Sequence, residues 1–382
     1  MTPRFKPSIG WDEFKHLFKR NKGAITQFEK DFAKKFESVD AVAFPYGRSA
    51  QWAFLKAVGL EKKEVIMPAY TCSVVAHAVS LSGNKPCFID IDLNDFNMNL
   101  RQAESNISEK TGAIIATHTF GYPQNLDALE AMISRAEKKY GNKIWLIQDC
   151  CHAFGARWHG KLIGGSGDVA IYAFNISKII TSIFGGMLTF QNQELADRTR
   201  IFRNTHFKRA SASKTLRRKL YFLAVYFAFN KRIYGIIKWL NENTAILNKL
   251  TKDYHLDDKV HFPPDYLESI TDLEASIGSV QLKKYDSIVD QRKNAAQRYD
   301  ETLKDKEGWH LPPIRDGATY SHYTVRVPNR EKTIKKYKDL GIELGELIQY
   351  SIPNLDCYGG TKEHESALKA SKTTINLPLH HE

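Results

Sequence analysis

A chain of 382 residues, 42% hydrophobic and 26% charged, can bury a large core, which excludes the disordered and fibrous classes. The formal net charge of +12 favours an anionic partner, and on charge alone phosphorylated small molecules, nucleic acid and a membrane surface all qualify. The five cysteines show no CxxC pairing, Met1 to Lys6 lacks the apolar core of a signal peptide, and no apolar run reaches the ~18 residues of a membrane span. A reducing, cytoplasmic setting is therefore expected.

Helical spacing opens the chain at Trp11–Phe18 and again at Ile25–Phe36, where Phe28, Phe32 and Phe36 recur on one face. A short apolar strand, Ala41–Phe44, leads through Gly47-Arg48-Ser49 into an apolar helix carrying Trp52, Phe54, Leu55 and Val58. Strands are then expected at Val65–Met67, Pro86–Ile91, Ile114–Thr117 and Ile144–Gln148, with helices at Val74–Leu81 and from about Asn125 to Lys139 between them. Val169–Phe174 and Met187–Phe190 read as two further strands, separated by Lys178 and the pair Gly185-Gly186. Residues 263–305 read as helical. The stretch from 306 to the end has the mixed texture of a small α+β unit, with strands at Tyr320–Val327 and Leu344–Tyr350 around a helix at Glu331–Leu340. Alternation of strand and helix with short connections predicts an α/β class: a mostly parallel sheet with helices on both faces in residues 1–271, and a small C-terminal α+β domain in 272–382.

Ligands of such sheets sit at the carboxyl ends of the strands. Gly47-Arg48-Ser49, Cys72, Asp149 and Lys178 all fall there. A helix start bearing a guanidinium and a hydroxyl suits a phosphate, although a plain Ser49 cap explains the same residues. A lysine beyond a buried strand can form a Schiff base with a carbonyl, or can simply pack its stem while the head reaches water.

Gln148-Asp149 with His152, Gly167-Asp168, Asn175 with Lys178, and Gly185-Gly186 together resemble the DegT-type sugar aminotransferases, enzymes of the aspartate-aminotransferase fold that use pyridoxal 5′-phosphate (PLP). Pro68 to Thr71, Phe88 to Asp92, Gly121 to Asp127 and the tail Asn376 to His380 extend the resemblance over most of the chain. The resemblance implies Lys178 as the Schiff-base lysine, Asp149 beside the pyridine nitrogen, and His152 near the ring's phenolic oxygen. It places Gly47, Arg48 and Ser49 at the cofactor phosphate and Cys72 where the family has an aromatic ring stacked on the cofactor. Ala173 stands where a phosphate-binding serine is usual, so Arg48 or Asn175 is expected to compensate. Leu267 and Ser269 lie near places that usually hold a partner-subunit Asn and Arg. Lys178 argues against the dehydratase branch, which has histidine there.

The resemblance implies a homodimeric PLP aminotransferase that passes an amino group from an amino acid, by analogy glutamate, to a keto-sugar that is nucleotide-linked, in surface glycan biosynthesis. The departures at Cys72, Ala173, Leu267 and Ser269 keep a rival open, a non-catalytic member acting in regulation or assembly. Nucleic-acid binding has charge but no motif to support it. Residues 199–241 contain no acidic residue, and the run Leu220–Phe229 lies between basic flanks that include Lys208, Arg209, Lys214, Arg217, Arg218, Lys219, Lys231, Arg232 and Lys238. Segment 208–240 therefore reads either as an interfacial helix at the inner face of a membrane or as a buried helix whose cations hold a substrate diphosphate.

Overall fold

The computed structural model describes residues 2–19, 21–229 and 259–379. Its centre is a seven-stranded sheet built from β1 (Asp40–Phe44), β2 (Glu64–Pro68), β3 (Lys85–Ile89), β4 (Thr111–Thr117), β5 (Trp145–Asp149), β8 (Val169–Ala173) and β9 (Gly186–Phe190), in the spatial order β1-β9-β8-β5-β4-β2-β3. The pairs from β8 through β5, β4 and β2 to β3 are parallel, while β9 is antiparallel to both β8 and β1. Thus β9 alone runs against the other six. The two-residue strands β6 (Arg157–Trp158) and β7 (Lys161–Leu162) form a separate hairpin.

Side-chain alternation sends each strand's residues to two different cores. Ala41, Ala43, Ala170, Tyr172 and Met187 join the cluster made by Phe28, Phe32 and Phe36 of α2 (Ala24–Lys35) and its C-cap. Val42, Phe44, Val169, Ile171 and Leu188 join Phe54 and Leu55 of α3 (Gly47–Ala57) on the opposite face. Helices α4 (Ser73–Leu81), α5 (Leu100–Asn106), α6 (Leu126–Tyr140) and α7 (Gln193–His206) complete the two layers. Helix periodicity marks α2, α3, α4 and α6 in the sequence, whereas α5 buries only Ala103 and α7 only Ala196 and Thr199, so neither carries an apolar stripe to read. The first predicted helix is shorter than its spacing suggested: α1 covers Trp11–Phe14 and continues as a single 3₁₀ turn to Leu17.

Helix α9 (Asp272–Leu303) begins at a capping box, in which Thr271 Oγ1 accepts from the Glu274 amide while the Glu274 carboxylate accepts from the Thr271 amide. Residues 263–271, expected to be helical, form turns instead. Ile288 and Val289 of α9 belong to the large core, whereas Ala295 and Ala296 belong to a third cluster with the C-terminal strands β10 (Tyr323–Arg326) and β11 (Thr374–Leu377). Helices α10 (Arg330–Asp339) and α11 (Glu365–Thr373) flank that pair. The predicted strand Leu344–Tyr350 does not form. Its backbone divides its bonds between Thr2, which accepts from the Glu343 amide, and Asn376, which exchanges two bonds with Gly345, so no continuous ladder develops.

Helix α8 (Ala212–Ala228) packs beside α9, and it changes the reading of the basic segment. Lys214 and Arg218 turn inward and are almost fully buried, as is Phe222. Lys231, Arg232 and Lys238 lie outside the described residues. No helix among the described residues is long and apolar enough to cross a membrane.

Candidate active site

The carboxyl ends of β1, β4, β5 and β8 open into a cleft of about 910 Å³. Its wall includes Gly47, Arg48, Cys72, Asp149, His152, Asn175 and Lys178, so seven of the eight residues singled out from the sequence meet in one place. Ser49 does not join them. It is fully buried, and its hydroxyl donates to the Tyr266 carbonyl at 3.0 Å.

Helix α3 starts at Gly47 straight after β1, with Tyr46 as its N-cap and no side-chain cap, so its first amides face the cleft end without a capping partner. Close approach requires glycine at two places here. A Cβ on Gly47 would lie 2.9 Å from the Ala173 Cβ, and one on Gly186 would lie 2.5 Å from the Tyr46 carbonyl carbon and oxygen. Ala173 therefore lies directly against the helix start.

Asp149 ends β5 and is 4% exposed. Thr117 Oγ1 donates to its Oδ2 at 3.1 Å, and the Cys151 amide donates to its Oδ1 at 3.1 Å. Among the described residues no cation comes within ion-pair distance, so this buried carboxylate suits a cationic N–H in the cleft. One strand-end residue earlier, Gln148 holds His118, whose Nδ1 accepts from the Gln124 amide at 3.0 Å. That bond puts the His118 proton on Nε2. Burial, against the pull of Gln148 and Asp149, lowers its pKa to about 4.

His152 stacks on Phe120, with ring centroids 5.9 Å apart and planes at 11°. The Phe120 amide approaches its Nδ1 at 3.4 Å, which leaves the proton on Nε2 as a donor. Burial, followed by the charge of Lys178 and then His322, holds His152 well below the ordinary imidazole value, so it is neutral. Lys178 is half-buried on a turn after β8, its amide donating to the Asn175 carbonyl at 3.1 Å. Asn175 Oδ1 is taken by the amide and hydroxyl of Ser177, which makes Asn175 a brace for the lysine turn. Among the described residues the Lys178 ammonium makes no ion pair or hydrogen bond.

Sequence reasoning missed several residues of the site, including Thr117 and Cys151, which hold Asp149. Tyr46 and Phe184 line the cleft, and His322, from the start of β10, stands 5.5 Å from His152 ring to ring. Nothing in the local sequence marks them, because apolar and aromatic side chains read as core. Cys72 occupies the N-cap of α4 at the cleft wall, where the family has an aromatic ring, and the Tyr350 hydroxyl accepts from the next amide, Ser73, at 3.0 Å.

The sequence profile of the DegT/DnrJ/EryC1/StrS aminotransferase family matches residues 17–237 and 241–382. The chain belongs to this family. DegT-family aminotransferases use PLP, and the cleft fits that group: an uncapped helix start for its phosphate, an unpaired buried carboxylate for its ring nitrogen, a neutral histidine donor and a lysine without an ion-pair partner. Among relatives, the spore coat polysaccharide biosynthesis protein SpsC of Bacillus subtilis is 25% identical over 399 residues, covering 99% of this chain and 92% of that protein. The GDP-perosamine synthase of Caulobacter vibrioides is 27% identical over 329 residues, covering 84% of this chain and 74% of that protein. The fold is shared with the sugar aminotransferase CalS13 from Micromonospora echinospora at a TM-score of 0.78 and 19% identity, covering 99% of this chain and 95% of the other.

Proposed function

We propose that the protein transfers an amino group from an amino acid, glutamate in the first instance, to a nucleotide-linked keto-sugar in surface polysaccharide biosynthesis, working as a homodimer with its sites at the subunit interface. The observation that carries this reading is the convergence of Asp149, His152, Lys178 and the α3 start on one cleft. Relatives named for spore coat polysaccharide and for GDP-perosamine support the substrate class, and a net charge of +12 suits a diphosphate.

PLP, when bound, supplies an electron sink for the C–N bond changes of transamination. Asp149, its two oxygens fixed by Thr117 and the Cys151 amide, keeps the ring nitrogen protonated. His152, with its proton on Nε2, would offer that N–H to the ring's phenolic oxygen. The Gly47, Arg48 and Ser49 amides and the Arg48 guanidinium hold the phosphate, through the Ser49 backbone rather than its buried hydroxyl. Lys178 Nζ is the amine that would hold the cofactor and, once free, would take up and return the proton at the substrate carbon. In this reading residues 1–271 form the cofactor-bearing unit and 272–382 a smaller one, which delivers His322 to the site.

The test is direct. Purified protein loaded with PLP should absorb in the visible, and glutamate should bleach that band with release of one 2-oxoglutarate per site. The resulting amino form should then be consumed by a nucleotide-linked keto-sugar in a chromatographic screen. Protein that fails to take up PLP, or a band that no amino donor bleaches, overturns the reading in favour of a non-catalytic role.

A further inference from the structure

Helix α8 buries two cations beside Phe222 and Val225 while it exposes apolar side chains. A helix at the surface of a globular protein ordinarily buries its apolar stripe and shows its charges. Here Lys214 and Arg218 face inward, paired with Asp265 and Glu274, while Leu216, Leu220 and Phe227 are 57%, 58% and 49% exposed. Their spacing of four and seven residues puts the three on one outward stripe. The helix cannot roll to hide them, because rolling would drag two cations away from buried carboxylates.

The stripe continues across the neighbouring element. Phe227 touches Tyr226, Tyr226 lies 4.7 Å from Phe14 ring to ring, and Phe14 packs on Trp11 and Phe18, which are 67% and 77% exposed. Among the described residues, the exposed charges next to these segments in sequence include Lys19, Lys208, Arg209 and Arg217. The acid beside Trp11, Asp12, is already paired with Lys15 at 2.7 Å. Exposed leucines and aromatic rings inside a cationic rim match the two requirements of an interfacial helix, apolar insertion and attraction to anionic headgroups. A second protein copy would bring the same cations against its own, which disfavours self-association through this face.

We infer that the α8 stripe and the Trp11–Phe18 segment form a docking surface for an anionic lipid membrane. The inference stands apart from the chemistry of the cleft. The cations that remain for lipid are the rim residues, not Lys214 or Arg218, and Phe222 belongs to the core rather than to the inserted face.

Vesicle sedimentation of the full PLP-loaded chain tests it. The protein should pellet with phosphatidylcholine vesicles containing about one-third phosphatidylglycerol, at least about tenfold more than with phosphatidylcholine alone, and should be released by about 0.5 M salt. Leu220→Glu with Phe227→Glu should cut partition about tenfold or more, and Leu216→Glu alone should cut it severalfold, with circular dichroism and cofactor absorbance unchanged. Ile314→Glu, at an apolar position 81% exposed in the segment between α9 and β10, should have no effect. Wild-type protein that stays in the supernatant with anionic vesicles overturns the inference. So does a Leu220→Glu, Phe227→Glu variant that loses self-association in sedimentation velocity while vesicle binding is unaltered, since the face would then be a subunit contact.

Discussion

The network that anchors α8 lends itself to a quantitative prediction. Arg218 Nη2 donates to Asp265 Oδ2 at 2.8 Å and to the Tyr46 hydroxyl at 2.6 Å, and that hydroxyl donates to Asp265 Oδ1 at 2.6 Å. Arg218 Nε lies 2.8 Å from Glu274 Oε1, at ion-pair distance but without hydrogen-bond alignment. Lys214 Nζ reaches Asp265 at 3.4 Å. Among the described residues, two cations thus face two carboxylates at side-chain exposures of 1–10%. Burial pushes the Lys214 ammonium down and the Glu274 carboxyl up despite their opposite-charge neighbours, so desolvation is the dominant cost. For Asp265 burial also acts upward, but Lys214, the Tyr46 hydroxyl and Arg218 outweigh it and hold the carboxyl low. Arg218→Met leaves one cation against two acids, and Asp265→Asn leaves two cations against one. Each should destabilise by about 3–5 kcal/mol. The double variant restores charge balance, so its loss should fall short of the sum by about 2 kcal/mol or more. Urea unfolding followed by circular dichroism at a fixed, saturating PLP concentration measures all four corners of the cycle. Additivity within about 0.5 kcal/mol would refute the idea that these groups act as one charge-balanced unit.

Lys178→Ala should eliminate the visible band of the bound cofactor and all turnover while the unfolding midpoint changes little; near-normal turnover would remove Lys178 from its role. Asp149→Asn should keep the cofactor but lose about 10²-fold or more in kcat, and a loss under about threefold would contradict its place beside the ring nitrogen. Gly186→Ala forces a Cβ against the Tyr46 backbone and should weaken PLP affinity at least about tenfold, whereas Gly165→Ala, whose nearest neighbour would be 3.5 Å away, should not; equal affinities would show that the helix start tolerates displacement. Burial holds His118, His152 and His322 below their ordinary values, so the unfolded chain binds protons first and stability, full above about pH 6.5, falls as pH drops toward the folded values, about 4 for His118. The slope should approach about 1.4 kcal/mol per pH unit for each imidazole, and His322→Asn should make it shallower by one such step; an unchanged slope in urea midpoints between about pH 6.5 and 5 would refute the assignment.

Much of this protein is local in origin. Strand and helix patterns, each readable over a few to fifteen residues, announced the strands of the large sheet and helices α2, α3, α4 and α6, though not α5 or α7, because burial of a period-2 or period-3.6 face depends on near neighbours in sequence. Asp149, Lys178 and Gly47-Arg48 were visible for a related reason: strand-to-helix junctions fall at the carboxyl edge of such a sheet wherever the chain turns. Side-chain direction at those junctions was not visible. Ser49 lies two residues from Gly47, and two helical steps, about 200° of rotation, turn its hydroxyl away from the cleft and onto the Tyr266 carbonyl. His322 lies 144 residues beyond Lys178, and only the packing of β10 on the Phe120 loop brings it to His152. The segment Leu344–Tyr350, with apolar residues at Leu344, Leu347, Ile348 and Tyr350, lacks strict alternation and makes only the single bridge from Gly345 to Asn376. Helix α8 is the sharpest case. Its composition of cations and leucines was plain, but which face turned inward depended on Asp265 and Glu274, acids some fifty residues downstream whose burial is offset by Arg218 and Lys214 together with hydrogen bonds from Tyr46 and Thr271. Sequence thus determined which segments form and roughly where the chemistry lies. The tertiary structure decided which atoms face one another, because the cost of burying a charge is settled by the partner it meets in space.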